Sequence, residues 1–198
     1  MSAVITSRKG FSLMEMLVAL AISAVVGGGI ISLMIYQTQL TATQNRNIIN
    51  QEALRETTHF LTDEILSMGS SVIQPYLNTA SENELTYVGD LDNDAIPDMV
   101  RYLYDANSQQ LSRTLYTTQD VGQTWDEIST DVLLDNLSQF GFTYYGANDI
   151  EPVTIDDVTS IKIELALNVA NTSTALTSGR VAAQSMITRV TIRNRRLN

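Results

Sequence analysis

Residues 8–36 read Arg8-Lys9-Gly10-Phe11-Ser12-Leu13-Met14-Glu15-Met16-Leu17-Val18-Ala19-Leu20, then Ala21-Ile22-Ser23-Ala24-Val25-Val26-Gly27-Gly28-Gly29-Ile30-Ile31-Ser32-Leu33-Met34-Ile35-Tyr36. Two cations and a glycine precede 26 residues, Phe11 to Tyr36, that hold a single charge, Glu15. A helix of about 20 apolar residues, rising about 1.5 Å per residue, crosses a bilayer. The run is therefore long enough to span one, and Arg8 and Lys9 place its start on the cytoplasmic side. A carboxylate four residues inside that run costs at least about 2.5 kcal/mol on insertion scales, so Glu15 calls for a partner.

Outward from this stretch, the composition narrows the function. The chain has 198 residues, 22 acids against 12 bases, and a formal charge of −10. Once residues 1–36 are set aside, one soluble domain of ordinary size remains. An acidic body argues against general affinity for nucleic acid or anionic lipid. The absence of cysteine removes disulfides, thiolate metal sites and cysteine nucleophiles together. With one histidine as well, little is left for catalysis, and an enzyme is the weakest reading.

The apolar run follows Gly10, whereas an ordinary secretory signal puts its apolar core before the cleavage site. The order Lys9-Gly10-Phe11-Ser12-Leu13-Met14-Glu15-Met16-Leu17-Val18-Ala19-Leu20 resembles the class III signal of type IV prepilins. The resemblance implies cleavage by prepilin peptidase between Gly10 and Phe11, then N-methylation of Phe11. It also puts Glu15 at the position of the family's assembly glutamate. Physical reasoning suits that role. Cleavage creates an ammonium at Phe11, and pairing it with Glu15 of a neighbouring subunit offsets the burial of both charges. The plainer reading is an anchor whose glutamate reaches back to the interface. Ala19, Ser23 and Gly27, and likewise Ala24, Gly28 and Ser32, recur every four residues, a spacing that lets helices approach closely.

No proline or glycine interrupts residues 37–68, and Leu54, Thr58, Leu61, Ile65 and Met68 recur with 4-3-4-3 spacing. The pattern predicts an amphipathic stripe on one helix of about 55 residues that stops at Gly69. His59 on this helix reads as a surface or boundary residue. The expected organisation is a leader at 1–10, a transmembrane and filament-core helix at 11–36, the soluble half of the helix at 37–69, and a β-rich head at 70–198.

After Gly69 the apolar period becomes two. Strands are predicted near Glu84–Val88, Met99–Tyr104, Gln110–Thr117, Gln139–Tyr145, Thr159–Asn168 and Met186–Arg195. Residues 105–108 read as a hairpin turn. Asp131–Ser138 reads as a short helix or connecting turn, and Asn171–Arg180 as a loop. The fold class is α+β, the long helix packed on a mainly antiparallel sheet, and the resemblance to prepilins implies that this is a type IV pilin fold. Downstream, Gln51-Glu52-Ala53-Leu54-Arg55, Leu61 to Gly69 and Thr188 to Asn194 resemble the PilW-type minor pilins, a group overlapping with pseudopilin J of type II secretion.

Asp90-Leu91-Asp92-Asn93-Asp94-Ala95-Ile96-Pro97-Asp98 is the one stretch with metal-ligand spacing. Asp90, Asp92, Asp94 and Asp98 at such positions can converge on calcium, although Ala95 and Arg101 depart from the EF-hand pattern. The bland alternative is a solvated acidic turn. Trp125 with Tyr116, Tyr144 and Tyr145 suggests core or sheet-edge packing ahead of a ligand face. Arg189, Arg193, Arg195 and Arg196 form a basic stretch suited to acidic neighbouring subunits, ahead of direct contact with DNA.

Three functions are expected, two implied by the resemblance and one by the acidic loop. The first is a minor pilin that helps to prime a type IV pilus-like filament. Its partners are other pilins, prepilin peptidase, the inner membrane and the assembly platform, and it ends in an extracellular or periplasmic filament. The second is a type II secretion pseudopilin. The third is a membrane-anchored, calcium-dependent adhesin that never polymerises.

Overall fold

The computed structural model describes residues 11–69, 76–92, 94, 96–118, 124–168 and 184–192. The chain forms two compact units, Met1–Asn47 and Ile48–Asn198, with the boundary inside the long α-helix α1 (Leu13–Leu66). In the first unit every large apolar side chain of α1 is exposed, from Leu13 to Leu40. This part of the helix contains the chain's membrane-length apolar window among the described residues. Its hydroxyls turn back on the helix itself: Ser32 donates to the Gly28 carbonyl at 2.9 Å and Thr38 to the Met34 carbonyl at 2.9 Å. Polar groups satisfied in this way need no water, which suits a helix surrounded by hydrocarbon.

In the second unit the predicted stripe is the buried face of α1. Leu54, Thr58, Leu61, Ile65 and Met68 are all buried, with Thr57 beside them. Burial of each large apolar side chain contributes about 1.5–3 kcal/mol. The end of the helix tightens, with Ser67 and Met68 amides donating to the Glu64 and Ile65 carbonyls three residues back. Gly69 then takes φ +75°, and its amide donates to the Val88 carbonyl at 3.0 Å. A Cβ there would stand 3.2 Å from the Tyr76 ring, so the stop requires glycine both sterically and conformationally.

Among the described residues eight antiparallel strands follow: β1 (Leu77–Ala80), β2 (Glu84–Gly89), β3 (Asp98–Asp105), β4 (Gln110–Thr117), β5 (Asp126–Leu134), β6 (Leu137–Tyr145), β7 (Ser160–Leu167) and β8 (Gln184–Thr191). They form two sheets, β1-β2-β3-β4-β5 and β6-β7-β8, in place of the single expected sheet. The α+β layout of one long N-terminal helix ahead of antiparallel sheets agrees with expectation, as does the β3–β4 hairpin. Residues 131–138 are a correction: they form the end of β5 and the start of β6, separated by Asp135 and Asn136. Asn136 takes φ +55° there, a left-handed turn that asparagine tolerates. β1 and most of β5 escape the periodicity because one is four residues long and the other is an edge strand exposing Ile128 and Val132. The expected loop at Asn171–Arg180 lies outside the described residues.

The two sheets meet along β6. The Phe142 amide donates to the Glu82 carbonyl at 2.8 Å and the Leu137 amide to the Gln109 carbonyl at 3.0 Å. Aromatic rings reinforce the seam: Phe140 lies 5.4 Å from Tyr104 and 4.9 Å, edge-on, from Phe142. On β7, Ile161, Ile163, Leu165 and Leu167 face the core while Lys162 and Glu164 pair outside at 2.6 Å, the alternation that the sequence predicts.

Candidate functional site

The N-terminal site is built on the first turn of α1. The Ser12 carbonyl accepts the first helical bond, from the Met16 amide, which makes Ser12 the N-cap. The Ser12 amide donates to Glu15 Oε2 at 2.9 Å, and the Glu15 amide donates to Ser12 Oγ at 3.4 Å. This reciprocal pair is a capping box, encoded by serine followed three residues later by glutamate. It satisfies two of the amides that a helix start leaves open, and it gives the lone carboxylate of the apolar run a local partner. Phe11 is 87 % exposed beside it. Gly10 lies outside the described residues. Sequence reasoning assigned Glu15 an intermolecular role and overlooked Ser12, although the capping spacing was legible.

The acidic loop is partly assembled. Ligand atoms of Asp90, Asp92 and Asp94 lie within 4.8 Å of one another. Asp92 Oδ1 accepts from the Asp94 amide at 3.2 Å and Asp94 Oδ1 from the Ile96 amide at 2.7 Å, so the backbone orients both side chains. Asp98 is not brought into this trio; its Oδ2 accepts from the Leu91 amide at 3.3 Å where β3 begins. Burial raises the pKa of Asp98, the Leu91 amide lowers it, and the charges of Asp92, Asp94 and Asp90 raise it further. Three carboxylates hold six oxygen atoms between them, and calcium takes six to eight, with backbone carbonyls and water as further ligands.

A buried ion pair missed at the level of sequence joins α1 to the sheet. Arg113 on β4 grips both carboxylate oxygens of Glu64, with Nε to Oε2 at 3.0 Å, and the Tyr102 hydroxyl donates to the same Oε2. The two charged side chains are only 14 % and 12 % exposed, and Arg113 also lies over the Phe60 ring at 5.7 Å. Burial alone would lower the pKa of Arg113, but the hydrogen bond and charge of Glu64 outweigh it and hold it above the ordinary value. Glu64 and Arg113 stand 49 residues apart, a separation no local pattern can bridge.

The remaining expectations divide. His59 is exposed and pairs with Asp63 at 2.7 Å, as a surface residue. Tyr116, Trp125, Tyr144 and Tyr145 are half-buried, and Tyr144 donates to the Ser81 carbonyl at 2.9 Å. Arg189 is engaged within its own chain: it pairs with Asp149, donates through Nε to Ser160 Oγ at 2.9 Å, and stacks on Tyr145 at 4.4 Å. Arg193, Arg195 and Arg196 lie outside the described residues.

Over residues 5–31 the chain matches the family described as the prokaryotic N-terminal methylation motif, a span that includes Gly10, Phe11 and Glu15. Among curated proteins no match was found. The chain thus carries a prepilin-type methylation motif at the start of an exposed apolar helix, ahead of antiparallel sheets in a pilin-like layout.

Proposed function

We propose that the protein is a minor pilin of a type IV pilus-like filament, processed by prepilin peptidase between Gly10 and Phe11 and taking part in priming assembly. The observation that carries this reading is the methylation motif at residues 5–31 on a helix whose large apolar side chains are exposed within its own unit among the described residues. Such a helix is stable in a bilayer or among other helices, and in water it is a liability. In this reading it anchors the precursor in the inner membrane with its N-terminus cytoplasmic, and afterwards packs in the filament core.

The Glu15 carboxylate is the assembly contact, taking the Phe11 ammonium of a neighbouring subunit. Its partners are other pilins, the peptidase and the assembly platform, and it acts by helix packing without catalysis. Mass spectrometry of the mature N-terminus, with and without prepilin peptidase, tests the reading. The expected product starts at N-methylated Phe11; an intact Met1, or cleavage elsewhere, overturns it. A pseudopilin would give the same N-terminus, and recovery of the chain from sheared surface pili is the result that favours the minor pilin.

A further inference from the structure

The part of α1 that packs within the second unit carries four acids and turns one of them inward. Glu52, Glu56 and Asp63 are exposed, whereas Glu64 lies nearly buried against Arg113 of β4 and Tyr102 of β3. Tyr102 and Arg113 stand side by side because they are direct partners in the β3–β4 ladder. Burial above all raises the Tyr102 pKa well above its ordinary value, so the hydroxyl keeps its proton and needs an acceptor. Tyr102 in turn stacks on Tyr87 at 6.4 Å, and neither side chain reaches solvent. Arg113 touches two successive turns of the helix: the Phe60 ring at 5.7 Å and the Glu64 carboxylate four residues on.

The apolar stripe beside this pair is nearly self-similar. Leu54, Leu61 and Met68 recur at seven residues, and Leu61 and Ile65 at four. Moved by one turn, Leu54 takes the place of Thr58 and Leu61 that of Ile65, so aliphatic side chains meet much the same sheet. The same move brings Phe60 to the place of Glu64. Arg113 and Tyr102 then face a ring where a carboxylate stood, in a site that admits little water. A buried charge left unpaired is strongly unfavourable, whereas an intact pair is close to neutral against apolar groups of like volume. Such a pair contributes little to stability and much to the choice between packings, as a polar residue in a coiled-coil seam does.

We propose that the Glu64–Arg113 pair is a register key, selecting the one axial position of residues 48–66 on the sheet that the apolar stripe leaves under-determined. This holds whether or not the chain enters a filament. The competing device is the end of the helix. There the Gly69 amide holds the Val88 carbonyl, and a Cβ at Gly89 would stand 3.0 Å from the Ser67 carbonyl oxygen.

The chain contains no cysteine, so spin labels go to introduced cysteines alone. A label at Glu56 on α1 is paired in turn with one at Ala106, in the β3–β4 turn, and one at Asp126, at the start of β5; all three positions are exposed. Double electron–electron resonance is recorded on the full-length chain in nanodiscs, and urea unfolding is followed in detergent. The wild type should give one narrow distance for each pair. Glu64→Met combined with Arg113→Met and Tyr102→Phe should keep the urea midpoint within about a tenth of the wild-type value. It should also add a second distance, displaced by up to about 5 Å, one helical turn, in at least one pair. Tyr102→Phe alone, with the ion pair intact, should keep the single distance. A single distance in the triple variant would show that the stripe and the helix end suffice, and overturns the proposal. Loss of the triple variant's cooperative urea transition overturns it as well, since the network would then supply stability in place of choice. A second distance in Tyr102→Phe alone moves the selection to the hydroxyl, with the same result.

Discussion

Glu15 meets two demands that substitution can separate. Its side chain completes a capping box with Ser12, and its charge is the one charge in the apolar run. Glutamine keeps the capping geometry and discards the charge. If charge pairing drives assembly, both Glu15→Gln and Glu15→Ala should abolish recovery in sheared filaments while the membrane fraction keeps the protein. Ser12→Ala, which removes only the cap at about 1 kcal/mol, should still assemble. Immunoblots of the two fractions check this, and filament recovery of Glu15→Gln at the wild-type level would reject the charge role. Glu64 is the second decisive residue. Truncating it leaves Arg113 buried without its carboxylate and Tyr102 without its acceptor. Glu64→Ala should cost about 3–5 kcal/mol, and adding Arg113→Met should restore part of the loss because a buried pair replaced by apolar groups is close to neutral. Urea unfolding of the detergent-solubilised chain measures both, and additive losses would contradict the coupling.

At the scale of elements, α1 satisfies two environments with two patterns. Through its first part the apolar residues lie all round, as lipid or neighbouring helices require; from Leu54 they narrow to the stripe that meets the sheets. Its end depends on Gly69 at φ +75°. Gly69→Ala should destabilise the second unit by about 1–2 kcal/mol, from left-handed backbone strain, with a further contribution from the Tyr76 ring. A melting temperature unchanged from the wild type in calorimetry would show that the turn relaxes without cost. The strands show a similar division. β7 was readable because one face is buried and the other carries Lys162 and Glu164. β5 was not, since an edge strand with exposed Ile128 and Val132 breaks the link between apolar residue and core.

The molecule as a whole responds to pH through groups whose environments differ. Asp98, at the entry to β3, has its pKa raised by burial and by Asp92, Asp94 and Asp90, against the lowering by the Leu91 amide. Stability linked to this carboxyl is fully present below its ordinary value of 3.8 and is lost as pH rises through the higher native value. Asp98→Asn keeps an acceptor for Leu91 and cannot ionise. It should therefore melt higher than the wild type at pH 7, the two converging near pH 3. Equal melting temperatures at pH 7 would remove the linkage. Asp105 and Asp149 pull the other way, their pKa values lowered by hydrogen bonds from Asn107 and Arg189, so it is the difference between variant and wild type that isolates Asp98.

What could be read along the chain is whatever depends on neighbours a few residues apart. The membrane-length run, the charge of Glu15, the helical stripe from Leu54 to Met68, the stop at Gly69 and the alternation of β7 are all local periodicities or single-residue conformational demands. They were enough for the helix-then-sheet layout and for the prepilin character. The division into two sheets, the Glu64–Arg113–Tyr102 network and the engagement of Arg189 by Asp149 and Tyr145 join residues tens of positions apart. Such contacts exist only once strand order and register bring their partners together, so tertiary structure alone decided them.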